Sequence, residues 1–150
     1  MKIYLAARYS RRDELREYKK QLEEVGIVVT SRWLDEKEPL DSQMGQHSDE
    51  FYVETATIDL EDIDKADAVI FFSEDPLTGW VRGGRHVEYG YAIGTGKSIA
   101  IIGPKENVFH YLENPRANLI HLPSLEEFIS QYTRVKEKEL LEFVNAVFGE

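Results

Sequence analysis

The chain has 150 residues, is 42% apolar and 31% charged, contains no cysteine and carries a formal net charge of −10. That length supports one domain with a sizeable core. The composition argues against a membrane span, which needs a run of about 18 apolar residues, against disulfide or thiolate chemistry, and against polymeric nucleic acid, which needs a basic face. There is no internal repeat and no low-complexity segment. Met1 to Ala7 is too short and too quickly charged for a signal peptide, so the expected location is a reducing cytoplasm. A small anionic ligand would have to be met by a local cluster of arginines.

Lys2 to Ala7 is an apolar run and the expected first strand. Arg8-Tyr9-Ser10-Arg11-Arg12-Asp13 follows as a loop and helix start, with Ser10 and Asp13 spaced as a cap. Leu15, Tyr18, Leu22 and Val25 recur at helical spacing, and Gly26 ends that helix. Ile27 to Thr30 is the expected second strand, with Ser31-Arg32-Trp33 at its carboxyl end. Asp35 to Asp49 is polar, holds Pro39 and has no period. Such a long loop reads equally as a ligand loop or as a surface insertion. A helix is expected from about Ser48 to Lys65, then a strand from Ala68 to Phe72, then a second loop, Ser73 to Val81.

The stretch Gly83-Gly84-Arg85-His86-Val87-Glu88-Tyr89-Gly90-Tyr91-Ala92-Ile93-Gly94-Thr95-Gly96-Lys97 lies between two buried-strand patterns, Ala68 to Phe72 and Ser98 to Ile102. Its glycines suit a loop entering a short helix that starts near Arg85 and stops at a left-handed glycine. Glu88 is then expected in the first turn. A carboxylate there is explained by the helix dipole alone, or by a ligand at the carboxyl edge of the sheet. A short helix through Val108 to Leu112 and a fifth strand, Asn118 to His121, come next. The terminal helix starts at Pro123-Ser124, and Leu125, Phe128, Ile129 and Tyr132 form an apolar row that Leu141, Val144 and Val147 continue. Lys136 to Glu139 reads as a solvated face.

Strands alternating with helices imply parallel strands and right-handed crossovers. The expected fold is α/β, a flavodoxin-like three-layer sandwich on a five-stranded parallel sheet. Its switch point, between the first and third strands, brings the loop after Ala7 beside the loop before Glu88. Around that point stand Tyr4, Arg8, Arg11, Arg12, Asp59, Arg82, Arg85, His86 and Glu88. Arg11 and Arg12 in a first helical turn serve an anion site or pair with Asp13, Glu14 or other surface acids. Helical spacing alone makes Asp59, Asp62 and Asp64 surface charges. Trp33 and Trp80 suit either a nucleobase stack or packing under the loops.

Three motifs run in order: Tyr4 on the first strand; Asp59 ahead of Ala66-Asp67; and Glu88-Tyr89-Gly90-Tyr91-Ala92 closed by Gly96-Lys97. From residue 2 to about 122 this resembles the nucleoside 2-deoxyribosyltransferase superfamily, including its nucleoside-monophosphate N-glycosidase branch. The resemblance implies that Glu88 attacks C1′ of a sugar, that Asp59 helps protonate the leaving base, and that Tyr4 orients Glu88. A carboxylate suits the oxocarbenium-like state of such a cleavage. Two departures stand out. An acid six residues before the nucleophile is replaced by Arg82, and a glycine-rich turn after the first strand is replaced by Ala6-Ala7-Arg8.

The segment Gly84-Arg85-His86-Val87-Glu88 is closer to the monophosphate branch, in which Arg8, Ser10, Arg11, Arg82 and Arg85 would hold a 5′-phosphate. The substrate implied is a nucleoside or nucleotide, and the product is free base, by hydrolysis or by transfer to another base. A homodimer or larger assembly is implied, with Asn118 falling where a neighbouring subunit contributes a residue. His86 is expected to pack a loop or contact ligand. His47, His86, His110 and His121 lack metal-ligand spacing, so neither a metal nor an organic cofactor is expected. Rival functions are an NAD glycohydrolase and a non-catalytic nucleotide-binding module.

Overall fold

A computed structural model describes residues 1–36, 47–77 and 83–149. The first strand, β1 (Lys2–Ala6), is buried from Ile3 to Ala6. Its unbroken apolar run is what a strand covered on both faces requires. A 3₁₀ turn at Tyr9–Arg11 leads directly into α1 (Arg12–Glu24). The expected Ser10 cap does not form: Ser10 lies inside that turn and Arg11 takes the N-cap position without a side-chain cap bond. Gly26, with φ of 84°, ends the turn after α1 as expected of a left-handed glycine.

The second strand, β2 (Val28–Val29), is shorter than the Ile27–Thr30 expected. Thr30 N still donates to Ile3 O at 2.8 Å. Beyond it, the Ser31 hydroxyl accepts from Leu5 N at 2.6 Å, and a side chain takes over from the ladder. Ser48 caps α2 (Asp49–Lys65) by accepting from Phe51 N, with Asp49 and Glu50 in the first turn. Then come β3 (Ala68–Phe72), α3 (Gly84–Gly94), β4 (Ser98–Ile102), a 3₁₀ turn at Val108–Tyr111, β5 (Leu119–Leu122) and α4 (Leu125–Phe148). Ser124 caps α4 through Glu127 N.

All strand pairs are parallel, in the order β2-β1-β3-β4-β5. This is the flavodoxin-like arrangement expected, with β1 and β3 adjacent at the switch point. Right-handed crossovers place α2 and α3 side by side on one face and α1 on the other. Two contacts join the tails of α2 and α3. Tyr91 Oη donates to Asp64 Oδ1 at 2.5 Å, and Lys97 Nζ donates to Asp64 O at 3.0 Å and Ala66 O at 2.7 Å.

The core runs through the whole sheet, from Ile3, Leu5, Leu15 and Leu22 to Phe71, Ile99 and Ile101. Leu125, Phe128, Ile129 and Tyr132 of α4 join it. Leu141, Val144 and Val147 do not: the apolar row expected to continue lies exposed. No helix among the described residues is long and apolar enough to cross a membrane.

Candidate functional site

The candidate site lies where α2 and α3 pack beside each other against β1. Tyr4 pairs in register with Val69 of β3, at the centre of the sheet. It is fully buried, and its face of β1 is the one that α2 and α3 cover. The Tyr4 hydroxyl proton is held far more tightly than usual. Burial is the main cause, followed by the nearby charges of Glu88 and Asp59 and by a hydrogen-bonding interaction with Glu88. No acceptor among the described residues meets the Tyr4 hydroxyl at full hydrogen-bond geometry. The hydroxyl and the Glu88 carboxylate are close neighbours in a dry setting, and a small adjustment would join them.

Glu88 is half-buried, with Oε2 shut off from solvent. Gly83, with φ of 90°, is the left-handed residue from which α3 springs, and Gly84 is the first helical residue. Glu88 is therefore the fifth residue of α3, and the first turn holds no acid. It stands one residue deeper than expected, just past the first turn, where the pull of the helix end is weaker.

On the neighbouring helix α2, Asp59 is half-buried, and its Oδ1 has no hydrogen-bond partner among the described residues. Its pKa is pushed up to about 7, first by burial, then by the charges of Glu36 and Asp62, with Arg32 opposing. Asp62, one turn on, is buried and fully used: it accepts from Arg32 N at 2.9 Å and Arg32 Nε at 2.8 Å. Of the acids in this helix, only Asp59 pairs an orphaned oxygen with a raised pKa near neutrality. Such a group donates or accepts a proton at physiological pH.

Glu36 is a neighbour that sequence reasoning missed. Burial raises its pKa, with Arg12 opposing, and its Oε2 lacks a partner among the described residues. Its main-chain oxygen accepts from Arg12 Nη1 at 2.6 Å and Arg16 Nη2 at 2.7 Å. Its position inside an aperiodic polar stretch gave no signal, because only the fold returns that segment to α2.

Two of the four arginines expected around a phosphate, Arg11 and Arg85, are committed to acids. Arg85 is buried; its guanidinium donates through Nη1 to Glu106 Oε1 and through Nη2 to Glu106 Oε2 at 2.8 Å. Arg11 grips Glu14 at 2.7 Å and Glu74 at 3.3 Å, the outcome in which it pairs with acids. Arg8 is half-buried where the chain leaves β1, and Ser10 is exposed beside it. Arg82 and Trp80 lie outside the described residues, as does the expected loop from residue 37 to 46. Trp33 is core: its Nε1 donates to Leu5 O at 2.9 Å. Asn118 is exposed at the amino-terminal edge of the sheet, bonded to Ser98 Oγ at 2.7 Å. Within one chain it is at the wrong end of the strands to reach Glu88.

His86 turns away toward β4. It lies against Phe71 and 3.6 Å from Glu106 Oε2. Burial and Arg85 lower its pKa, while Glu106 opposes. With Glu106 and His110 it forms the one three-donor cluster of metal-ligand type among the described residues, its ligand atoms within 4.8 Å of one another. The wiring does not suit a cation. His110 Nδ1 already accepts from Glu106 N at 3.1 Å, which leaves the proton on Nε2, and the Glu106 carboxylate already carries a guanidinium. The cluster is a buried ion pair under aromatic cover. Glu106 had no sequence signature beyond its place in the loop after β4.

No protein-family model matches the chain, and no curated protein sequence does. Solved structures do. The Clostridium botulinum CMP N-glycosidase BcmB is 18% identical, covering 89% of this chain and 99% of its own, with a TM-score of 0.58. A 2-deoxyribosyltransferase from Bacillus psychrosaccharolyticus is 22% identical, covering 85% and 90%, with a TM-score of 0.59. BlsM is 17% identical, covering 83% and 82%, with a TM-score of 0.50. At these identities the likeness is one of fold. These neighbours are the kind of protein that the Tyr4, Asp59 and Glu88 motifs resemble.

Proposed function

We propose that this protein cleaves the N-glycosidic bond of a nucleoside or of a (2-deoxy)nucleoside 5′-monophosphate. The observation that carries the proposal is the buried Tyr4 hydroxyl under the joint influence of Glu88 and Asp59. Fold neighbours that include an N-glycosidase and a deoxyribosyltransferase support it.

In the first step a Glu88 oxygen forms a bond to C1′ as the C1′–N bond breaks. The electron pair goes to the base, which leaves with a proton from Asp59, whose pKa of about 7 keeps a substantial fraction protonated at neutrality. Tyr4 donates to the other Glu88 oxygen and fixes its aim. Water or a second base then attacks C1′ as the C1′–Glu88 bond breaks, and its proton passes to the now ionised Asp59, giving hydrolysis or transfer. A 5′-phosphate would be met by Arg8, Ser10 and Arg82 of the expected cluster; Arg11 and Arg85 hold acids.

The test is a panel of nucleosides, nucleoside monophosphates and NAD, with free base read by chromatography and a second base added in a parallel set. Base release from a nucleoside or monophosphate by wild type, and none by Glu88→Ala that still binds ligand, is the expected result. Nicotinamide release alone would make the protein an NAD glycohydrolase. Release from no compound would leave a binding module.

A further inference from the structure

Glu36 follows the 3₁₀ turn at Arg32–Asp35 and is pinned from two sides. Its main-chain oxygen accepts from Arg12 Nη1 at 2.6 Å and from Arg16 Nη2 at 2.7 Å, both on α1. The turn before it is fastened to α2 by Arg32, whose N and Nε donate to Asp62 at 2.9 and 2.8 Å. These bonds bring the Glu36 side chain to the part of α2 that carries Asp59. Its charge acts on Asp59 more strongly than that of Asp62, one turn away on the same helix. Glu36 Oε2 and Asp59 Oδ1 are both shut off from solvent, and neither has a hydrogen-bond partner among the described residues. Two dehydrated carboxyl groups so placed cannot both ionise cheaply, so the pair retains one proton.

The surrounding groups decide which member keeps it. On the Glu36 side stands the Arg12 guanidinium, which favours the ionised form. On the Asp59 side stand Glu36 itself, Asp62, and Tyr4 of β1, which feels both Asp59 and Glu88 of α3. The cation that opposes them, Arg32, is shared with Glu61 and Asp62. We propose that Glu36 is a positioning residue for the proton of the reaction: ionised beside Arg12, it holds that proton on Asp59 until the leaving base takes it. Once Asp59 has lost the proton, the same charge keeps its carboxylate basic enough to take one back from the incoming water or base. This role rests on the reaction proposed for Glu88 and Asp59, whereas the pairing of the two carboxyl groups does not.

NMR titration of protein isotope-labelled at its aspartate and glutamate carboxyl carbons reads the pair directly. The signals of Asp59 and Glu36 are assigned by their loss in Asp59→Asn and Glu36→Gln. The Asp59 midpoint is expected at about 7 in wild type, and its signal should also move once at lower pH, as Glu36 ionises. In Glu36→Gln, which keeps the shape and removes the charge, the midpoint should fall by roughly one pH unit. The alkaline limb of kcat/KM for base release should move down with it. Glu54→Gln, which removes an exposed charge from the same helix, should leave both in place. An unmoved midpoint in folded Glu36→Gln, an equal fall in Glu54→Gln, or a wild-type Asp59 signal with a single step would each overturn the proposal. The two-step signal needs no variant, so it decides even where Glu36→Gln fails to fold. A midpoint that falls in Glu36→Gln, while wild type releases no base from any compound, would support the carboxyl pair and count against the reaction alone.

Discussion

The hydroxyl of Tyr4, sealed inside the sheet's covered face, answers to the carboxylate of Glu88 one helix away. A phenol in that position is a poor contributor to stability, since it is dehydrated without a fully formed hydrogen bond. It is a good device for aiming a carboxylate.

Tyr4→Phe should separate those two effects. Thermal stability is expected within about 1 kcal/mol of wild type, because a buried hydroxyl lacking an ideal partner returns little. Turnover in the base-release assay is expected to fall about 10–100-fold, with KM little changed. Denaturant melts and steady-state kinetics check the pair, and unchanged turnover would remove Tyr4 from the reaction.

Asp59 should leave a signature in stability against pH. It holds its proton to about pH 7 in the folded chain, against about 3.9 when unfolded. The folded state thus binds the extra proton between those values, and stability contributed by the group falls as pH rises through that window. Asp59→Asn should grow more stable relative to wild type from pH 4 to 7, by ~2–4 kcal/mol at most. Base release by wild type should fall on the alkaline side of about pH 7 as the acid is lost, and Asp59→Asn should be nearly inactive throughout.

His110 works in the opposite sense. Burial is the first cause that holds its pKa down at about 4, with Glu106 opposing, whereas a free histidine titrates near 6.5. The unfolded chain binds the extra proton between those values. This contribution is fully present above about 6.5 and is lost as pH falls toward 4. His110→Asn offers an acceptor to Glu106 N and removes the titration. Its stability should vary less across that acid window than that of wild type, whatever its absolute loss. Melting temperatures from pH 4 to 7 for wild type and both variants would show the two opposed slopes.

The Arg85–Glu106 pair should be costly to halve. Glu106→Ala strands a buried guanidinium and also removes the acceptor of Glu74 N; a loss of about 3–5 kcal/mol is expected. Arg85→Met/Glu106→Leu, which takes both charges out, should recover most of it. Chemical denaturation of the three proteins measures this, and a double variant as weak as the single one would contradict the reading.

The fold was legible because its signals are local. The apolar runs at Ala68–Phe72 and Ser98–Ile102 match β3 and β4 residue for residue, and Ser48 and Ser124 mark their helix starts by side-chain caps. The errors fell where long-range contacts decide. Ser10 lost its cap to a 3₁₀ turn, and β2 was cut short by Ser31 bonding to β1. For the site, it was the family resemblance that singled out Tyr4, Asp59 and Glu88, and residue types could not show which arginines hold acids. Arg85 and Glu106 are 21 positions apart, and nothing in either segment announces the other. Glu36 was hidden for the same reason.

The bonds from Tyr91 and Lys97 to the tail of α2 act as a rivet close behind the carboxylates, with Tyr91 less than one helical turn beyond Glu88. Fastened there, the two helices hold the middle of α2, which carries Asp59, opposite the part of α3 that carries Glu88. Under the proposed reaction, the room left for a leaving base is then set by this fastening and not by the catalytic residues alone. Slackening that rivet, as in Lys97→Met, would broaden the range of bases released more than it would slow any one of them.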